Sequence, residues 1–300
     1  MQVKITNLKK SYNKHLVLKN INMELTKPGI YLIAGPNGSG KTTLLEIIIG
    51  LRKPTSGEVL INNSTPDTLE SKRAIGFLSQ QNSLRRSCYV YEELKLVSEI
   101  YSIKNVNLPE YLSKYNLDEY YRYKTGKLSG GSRRRLLLAM TLLPMQEIIV
   151  LDEPVSGLDP FSRNEIWNMI TEVSRDRIVI VSDHYLNQAA QYSDYVYLLD
   201  SGNVVLHGGI KDVNSFLKKS LVVKGRKNNH ESIENRLRYL GIEIDLKVSG
   251  TVYSYYINET DKQKLKDLDI KDCNLNSVDF EDIYFYYTGK YSHDGSEENG

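Results

Sequence analysis

Glycine, lysine and threonine residues recur near the N-terminus at the spacing of a phosphate-binding loop. Gly35, Gly40, Lys41 and Thr42 match the P-loop pattern G-x-x-x-x-G-K-[ST]. Glycines let backbone N–H groups close around phosphate oxygens, and the start of the next helix adds the positive end of its dipole. The lysine then reaches the β- and γ-phosphates of a nucleotide, and the threonine binds Mg²⁺. An ordinary glycine turn is the alternative, but the apolar segments on both sides favour the P-loop.

Two adjacent carboxylates follow a second apolar segment. Residues 148–151 read as a buried strand that delivers Asp152 and Glu153 to its C-terminal edge, where open parallel sheets place their chemistry. One carboxylate of such a pair can hold Mg²⁺ while the other polarises the attacking water. Without the P-loop, two solvated loop acids would be the better interpretation. His184 follows another apolar strand; a lone histidine is more often structural, but its position at the same edge supports a functional role.

Three further features could contact a nucleotide. The turn at 128–132, LSGGS, opens an apolar helix that Pro144 should end, and a turn at a helix start exposes backbone donors to an anion. The turn at 156–159 leads into a helix with Pro160 at its first position. Tyr12 lies at a predicted hairpin connection. Its ring could stack on a base or could belong to the core of an edge strand.

The rest of the chain supplies the elements that position these residues. Alternating apolar residues predict strands at 3–8 and 16–25. Apolar positions at helical spacing predict a helix over 90–103, followed by short helical pieces near 109–123 in a tyrosine-rich insert. Further strands are predicted at 58–62, 74–79, 148–151, 177–182, 195–199 and 204–207.

Composition restricts the possible partners. The 300 residues include 39 basic and 37 acidic side chains, a formal charge of +2, so we expect no nucleic-acid partner. The densest basic cluster, residues 133–135, is predicted to be a solvated helix face. Cys88 and Cys273 match no metal spacing and suit a reducing cytosol. The sequence shows neither a signal peptide nor an apolar stretch of membrane-spanning length, so another chain must cross the membrane if the protein works there.

In their order along the chain, the motifs over residues 1 to about 210 resemble those of the nucleotide-binding subunit of an ATP-binding cassette (ABC) transporter. They are the P-loop (Walker A) at 35–42, the Q-loop glutamine Gln80, LSGGS at 128–132 in place of the LSGGQ signature, the Walker B pair Asp152 and Glu153, the D-loop from Ser156 to Asp159, and the switch histidine His184. The resemblance implies an α/β P-loop NTPase cassette. Its mixed sheet has a RecA-like core, with an antiparallel β subdomain and a helical subdomain at about 84–140.

The resemblance also implies a role for each motif residue. Glu153, His184, Gln80 and Lys41 are the implied catalytic residues, and Thr42, Gln80 and Asp152 are the implied Mg²⁺ ligands. Tyr12 stands where the family places its adenine-stacking aromatic residue, which favours stacking over a core role. The residues implied to bind ATP are Tyr12, Gly35, Pro36, Asn37, Gly38, Ser39, Gly40, Lys41, Thr42 and Thr43.

Members of this family work as head-to-tail pairs of cassettes. The resemblance implies that Ser129, Gly130 and Gly131 of one subunit close over ATP on the P-loop of the other, with Asp159 in the D-loop between them. Ser132 departs from the family pattern, which usually has glutamine there. We expect activity to be retained because Ser129 and Gly131 remain. A homodimer with two competent sites is expected, and a heterodimer stays open.

The last ninety residues lie outside the nucleotide-binding pattern. They predict a small α+β accessory domain at 211–291 with a β-α-β-β-α-β order, including helices at 231–240 and 261–268, and then a disordered tail at 292–300. The segment 280–288, FEDIYFYYT, resembles the ending of ATPase subunits of ABC-2-type exporters. The alternative is an amphipathic helix that packs Ile283 and Tyr287 on its own domain.

Several functions are compatible with these motifs. The preferred hypothesis is the ATP-hydrolysing motor of a bacterial exporter at the cytoplasmic face of the cell membrane, with a separate permease and with an antimicrobial or amphipathic peptide, or a drug, as cargo. The alternatives are an importer motor and a soluble ABC protein that acts on the ribosome or DNA. A single cassette without coiled-coil heptads disfavours the soluble protein. A kinase is disfavoured because it would leave the signature turn and His184 without a purpose.

Overall fold

The computed structural model describes residues 1–13, 15–81, 83–212, 216–217, 219–267 and 273–289. The predicted tail at 292–300 lies outside the described residues, as does Lys14 in the first hairpin. Among the described residues, none of the helices combines the length and the apolar composition needed to cross a bilayer.

A six-stranded sheet positions the acids, the histidine and the P-loop. Its strands are β3 (Gly29–Ala34), β5 (Ile75–Leu78), β6 (Ile148–Asp152), β7 (Ile178–Ser182), β8 (Tyr195–Asp200) and β9 (Asn203–Gly209). The order is β5-β6-β7-β3-β8-β9, and all neighbours are parallel except β8 and β9. Ser182 at the end of β7 pairs with Ile33 on one side and with Asp152 on the other. The ends of β3, β6 and β7 therefore meet at one edge.

The two faces of this sheet carry separate cores because successive strand residues point to opposite sides. In β3, Ile30 and Leu32 belong to one buried cluster, and Tyr31 and Ile33 belong to the other. The second cluster includes the apolar side of α1 (Lys41–Ile48) and a three-stranded antiparallel sheet. That sheet has the order β2-β1-β4, from β1 (Val3–Tyr12), β2 (His15–Leu25) and β4 (Ser56–Ile61), with α2 (Leu69–Ala74) following it.

Helices cover the other face of the central sheet. They are α3 (Val90–Ile100), α4 (Leu108–Ser113), α5 (Gly130–Leu142), α6 (Pro160–Val173) and α7 (Leu186–Tyr192), with 3-10 turns at Asp118–Tyr120 and Thr125–Lys127. The predicted helix near 90–103 and the short helical pieces after it are confirmed, and Pro144 follows the end of α5 as expected. The predicted cassette architecture is thus present, with mixed central sheet, antiparallel sheet and helical layer.

The C-terminal region forms a third sheet. Its elements are β10 (Leu221–Arg226), α8 (His230–Tyr239), β11 (Ile244–Ser249), β12 (Val252–Ile257), β13 (Asn274–Ser277) and α9 (Phe280–Thr288). The strands are antiparallel in the order β11-β12-β10-β13. The α-helix predicted over 261–268 is wrong for its described part, which forms 3-10 turns at Glu259–Asp261 and Lys264–Asp267. Leu265 is the one buried apolar side chain among residues 261–265, and so short a segment gains too little packing to offset helix nucleation.

The last helix packs on more than its own domain. Ile283 is fully buried in the same cluster as the helix-covered face of the central sheet. Tyr284 and Phe285 belong to this cluster, which also includes Tyr256 of β12. Helix α9 therefore lies between the C-terminal sheet and the main body.

Candidate functional site

The P-loop backbone has the open conformation that an anion site requires. Gly38 and Gly40 have φ angles of 77° and 106°, in the left-handed region that favours glycine. A Cβ atom on Gly35 would collide with the backbone oxygen of Leu199 and the hydroxyl of Ser39, whereas nothing lies within 4 Å of a Cβ on Gly38. Helix α1 begins at Lys41, directly after the loop. Its unpaired N-terminal amides therefore adjoin the loop.

Two polar groups in this loop fit a phosphate. Lys41 is buried, and its Nζ donates to the loop's own carbonyl oxygens at Gly35 (2.7 Å) and Pro36 (3.1 Å). Burial lowers the pKa of Lys41, while Glu153 and Asp152 oppose that shift. The buried hydroxyl of Ser39 has no hydrogen-bond partner among the described residues. A cation held on weak acceptors beside an unsatisfied donor is an arrangement that phosphate oxygens would complete.

The predicted Walker B acids lie at the edge where β6 and β7 end. Asp152 is buried, and its Oδ1 accepts a hydrogen bond of 2.5 Å from the Ser182 hydroxyl. The backbone N–H of Glu153 donates to both oxygens of Ser182, at 3.1 Å and 3.0 Å. Glu153 has a φ of 47°, an uncommon backbone conformation for a non-glycine residue. The chain thus turns sharply after Asp152 and separates the two acids.

The carboxylate of Glu153 brings together three of the predicted catalytic residues. Gln80 Nε2 donates to Glu153 Oε2 at 2.8 Å, and His184 Nδ1 lies 3.6 Å from the same oxygen. The contact between His184 and Glu153 lowers the pKa of Glu153 and raises the pKa of His184. Glu153 is therefore ionised at neutral pH. It is held on both sides by groups that could also face a γ-phosphate and its attacking water.

Asp183, which the sequence interpretation overlooked, is buried directly before the switch histidine. Its Oδ1 accepts a hydrogen bond from the N–H of Tyr185 at 2.8 Å, and its Oδ2 has no hydrogen-bond partner among the described residues. Burial raises the pKa of Asp183 to about 6. In the sequence, the only sign that Asp183 is buried is its position directly after the apolar strand 178–182.

The signature turn and the D-loop lie side by side. Ser129 caps α5 by accepting a hydrogen bond from the N–H of Ser132 at 3.1 Å, and Gly130 is exposed. Gly131 packs so closely on Ser162 that a Cβ atom would collide with it. Asp159 in turn caps α6, accepting from the N–H and the hydroxyl of Ser162 at 3.1 Å and 2.7 Å. Among the described residues, no hydrogen bond joins this signature turn to the P-loop of the same chain.

Tyr12 lies at the end of β1 with 36% of its surface exposed. Lys10 Nζ lies 5.0 Å from the centre of its ring, and the Arg52 guanidinium lies 5.5 Å from it. The ring is thus outside the core and available at one side to a base. Its role in adenine stacking stays a prediction.

The prediction that residues 133–135 form a solvated helix face is wrong for Arg134. Its side chain is buried and donates to the backbone oxygens of Ser79, Pro154 and other turn residues. Arg135 is also largely covered and pairs with Glu165 at 2.8 Å. The helical spacing of Gly131, Arg134 and Leu138 places these buried residues on one face of α5, and this spacing could have indicated the burial.

The donors near the P-loop fit Mg²⁺ better than a transition metal. Thr42, Asp152 and Gln80 offer hydroxyl, carboxylate and amide oxygens, the hard ligands that Mg²⁺ prefers. Within the described ranges, no group of three or more His, Cys, Asp and Glu residues could hold a metal ion. The protein therefore lacks an all-protein metal cage in this part, as expected where phosphates and water complete the coordination of Mg²⁺.

Comparison with known proteins agrees with this geometry. Residues 18–156 match the family model described as ABC transporter. The chain is 27% identical to the lantibiotic transport ATP-binding protein SrtF of Streptococcus pyogenes over 229 residues, which cover 75% of this chain and 100% of that protein. It is 32% identical to the uncharacterized ABC transporter ATP-binding protein YxlF of Bacillus subtilis, covering 70% and 71%. It is 30% identical to the lipopolysaccharide export system ATP-binding protein LptB of Haemophilus influenzae, covering 67% and 88%.

Solved structures share the same fold. A dimeric ATP-binding cassette in a post-hydrolysis state, bound to ADP and Pi, is 29% identical with a TM-score of 0.61, covering 69% of this chain and 98% of that chain. The ADP conformation of another cassette from an ABC transporter is 26% identical with a TM-score of 0.64, covering 72% and 95%.

Proposed function

Because this chain belongs to the ABC transporter family as an ATP-binding cassette ATPase, we propose that it is the motor subunit of a bacterial exporter. Its work would be to bind and hydrolyse ATP at the cytoplasmic face of the cell membrane. A separate integral-membrane permease would carry the cargo. The observation that supports a motor most directly is the cluster of Gln80, Glu153 and His184 beside the buried Lys41.

The first part of the proposal concerns nucleotide binding. Lys41 would exchange its two loop carbonyls for phosphate oxygens, and the loop amides from Gly35 to Thr43 would surround the phosphates. Tyr12 would stack on the adenine. Thr42, Asp152 and Gln80 would hold Mg²⁺. When bound, Mg²⁺ supplies positive charge against the β- and γ-phosphates.

The second part concerns hydrolysis. Glu153 would orient and polarise the attacking water, since the lowered pKa of its carboxylate keeps it ionised. His184 would leave Glu153 to contact the γ-phosphate, and its raised pKa favours the protonated, hydrogen-bond-donating form. Gln80 would sense the same change because its amide is bonded to Glu153. The three side chains would thus respond together to the presence of the γ-phosphate.

The third part concerns a dimer with shared sites. In a head-to-tail pair, Ser129, Gly130 and Gly131 of one subunit would close over ATP on the P-loop of the other. The start of α5 supports this, because Gly130 is exposed there and the N-terminus of a helix favours an anion. The contact between Gly131 and Ser162 places the D-loop residue Asp159 on the same side. The similarity to a cassette crystallised as a dimer supports a second subunit, and we propose a homodimer.

The most specific part of the proposal concerns the cargo, an amphipathic or antimicrobial peptide that is exported. It is supported by similarity over the whole length of a lantibiotic transport ATP-binding protein. A lipopolysaccharide export protein is also among the relatives. The helix at Phe280–Thr288, which resembles the ending of exporter subunits, is present and well packed.

Co-purification tests this function. Tagged Glu153→Gln chain would be recovered from a mild-detergent extract with ATP present, and the bound proteins identified by mass spectrometry. A polytopic membrane chain related to exporter permeases is expected. A Lys41→Ala chain, which should not hold ATP, provides the matched control for nucleotide-dependent partners.

Other partners would overturn the proposal. Ribosomal proteins or nucleic acid without a membrane chain would point to a soluble regulator. A membrane chain recovered with an extracellular solute-binding protein would point to an importer.

A further inference from the structure

The buried guanidinium of Arg134 joins three motifs of the same chain. Its Nε donates to the carbonyl oxygen of Pro154 at 2.7 Å, and its Nη2 donates to those of Glu153 at 3.1 Å and Asp152 at 3.4 Å. Its Nη1 reaches the carbonyl oxygen of Ser79, the residue before Gln80, at 3.1 Å. Arg134 itself lies one turn into α5, which begins at the signature turn. One side chain thus connects the signature helix, the Walker B turn and the start of the Q-loop.

Arg134 has no carboxylate in salt-bridge contact among the described residues. Burial lowers its pKa, and the nearby charges of Asp152 and Glu153 oppose that shift. A buried charge is costly unless hydrogen bonds satisfy it, and here backbone oxygens provide them. The planar fork of an arginine can reach several carbonyls at once, which a lysine ammonium on a single flexible stem cannot do equally well.

Arg134 and Glu153 line the same open depression. A cavity of about 230 Å³ lies between the start of α5 and the sheet edge, lined among others by Gln80, Gly130, Arg134 and Glu153. The hydrogen bonds of the Arg134 guanidinium join the α5 side of this depression to its sheet-edge side. Glu153 sits at the far side with its positive φ. Its N–H is held by Ser182 and its carbonyl by Arg134, so the two peptide groups on either side of its Cα atom are both fixed.

We propose that Arg134 is a positioning residue for ATP hydrolysis, which transmits the state of its own subunit's signature turn to that subunit's Glu153 and Gln80. The inference rests on the proposed dimer with shared sites. There, the signature turn of a subunit contacts the partner's ATP while its Glu153 serves its own ATP. Movement of α5 on closure over one nucleotide would therefore reposition the carboxylate at the other. The two sites of the dimer are coupled through Arg134.

Steady-state ATP hydrolysis by the purified full chain tests the inference. Arg134→Gln removes the charge and most of the fork, and Arg134→Lys keeps the charge. Arg177→Gln is the matched control, because Arg177 is also largely buried but lies at the opposite end of the central sheet. Removal of the fork should lower kcat by about 10- to 100-fold, because moving a catalytic group by about 1 Å has effects of that size. KM for ATP should stay within about twofold, because no substrate contact is removed.

A second readout separates coupling from general loss of structure. The Hill coefficient for ATP should fall towards one in Arg134→Gln and lie between that value and the wild-type value in Arg134→Lys. Hydrogen exchange of the amides at 152–156 should become faster in both variants while ATP binding is retained. Arg177→Gln should keep the wild-type Hill coefficient and the wild-type exchange at 152–156.

The outcomes are distinguishable. An unchanged kcat in Arg134→Gln, or a Hill coefficient that stays at the wild-type value while kcat falls, would overturn the inference. If the wild-type chain neither dimerised nor hydrolysed ATP cooperatively, the proposed dimer itself would fail before any variant was compared.

Discussion

At the scale of single residues, the site contains two acids with opposite pKa shifts. His184 lowers the pKa of Glu153, whereas burial raises that of Asp183 to about 6. The first acid is therefore charged under all ordinary conditions, and the second loses much of its charge below neutrality. Groups whose environments separate their pKa values are typical of catalytic sites. Of these two acids, Glu153 is the one that contacts Gln80 and lies near Lys41, so we propose the water-polarising role for it.

Glu153→Gln should keep ATP binding but slow hydrolysis by about 10² to 10⁴, because the amide keeps the shape of the side chain and loses its basicity. The measurement is single-turnover ATP hydrolysis, with ATP affinity measured in parallel. Glu172→Gln, on the exposed side of α6, is the control and should hydrolyse ATP at the wild-type rate. Near-normal hydrolysis by Glu153→Gln would remove the role assigned to this residue.

Asp183→Asn should change how stability depends on pH. A buried acid whose folded pKa is raised takes up a proton that the unfolded chain releases. The native state therefore loses stability as pH rises from about 4, the unfolded pKa, to about 6, the folded pKa. The variant lacks this loss. Relative to wild type it should gain about 3 kcal/mol across that window and keep the gain above it.

Denaturant unfolding between pH 4 and pH 8 measures the effect. Asp118→Asn, an exposed acid, serves as the control and should track the wild-type curve. A stability difference for Asp183→Asn that does not vary with pH would contradict the explanation by burial.

At the scale of elements, α7 is the helix on which the site and the C-terminal region meet. It begins two residues after His184. Asn187 of α7 donates to the Asp279 carboxylate at 3.0 Å and accepts from the N–H of Glu281 at 3.1 Å. Lys224 of β10 pairs with Asp282 of α9 at 2.6 Å on the other side. We propose that residues 211–291 act as an accessory domain that stabilises or regulates the cassette through this helix.

Ile283→Ala should destabilise the cassette and not only the C-terminal sheet. Ile283 is fully buried in the shared cluster, so we expect a loss of about 2 to 5 kcal/mol. Trp167, the single tryptophan, is buried in the same cluster and stacks on Tyr192 of α7, so its fluorescence reports on the cassette. Tyr239→Ala, at a side chain that is 81% exposed, should change stability by less than about 0.5 kcal/mol.

The denaturant midpoint of Trp167 fluorescence shows whether Ile283→Ala destabilises the cassette or only the C-terminal sheet. A midpoint in Ile283→Ala that equals the wild-type midpoint would mean that α9 does not support the cassette.

At the scale of the whole molecule, one chain holds two half-sites on different elements. The P-loop and the acids lie at the edge of the central sheet, and the signature turn lies at the start of α5. Several polar groups of these regions have local partners: Lys41 bonds to loop carbonyls, Ser129 to Ser132 and Asp159 to Ser162, whereas the buried Ser39 hydroxyl has none among the described residues. In the proposed dimer, phosphate oxygens of ATP would supply partners for Lys41 and Ser39 of one subunit and for the signature turn of the other.

The chain should dimerise in an ATP-dependent way. Glu153→Gln with ATP should have twice the monomer mass in sedimentation, because slow hydrolysis preserves the closed pair. A double variant that adds Lys41→Ala should stay a monomer under the same conditions. If Glu153→Gln bound ATP and remained monomeric up to millimolar ATP, the shared-site dimer would be wrong for the isolated chain.

The sequence by itself determined the P-loop, the position of most strands along the chain and the elements that carry each motif. These features are local: glycine spacing sets the loop conformation, and strand periodicity follows from neighbours a few residues apart. The family followed from the motifs in their order, and even the sheet edge shared by Asp152 and His184 could be predicted from parallel topology.

Only the tertiary structure decided the environments of particular side chains. The sequence presents Arg134 as one of three surface arginines and Asp183 as a polar strand end, and it does not show that α9 packs against the cassette. Each is decided by atoms far away in the sequence, since Arg134 meets residues 18 to 55 positions away and Ile283 packs in the core of the cassette. Burial, and with it pKa and hydrogen-bond partners, depends on which distant segments the fold brings together, and that information does not lie in any local pattern.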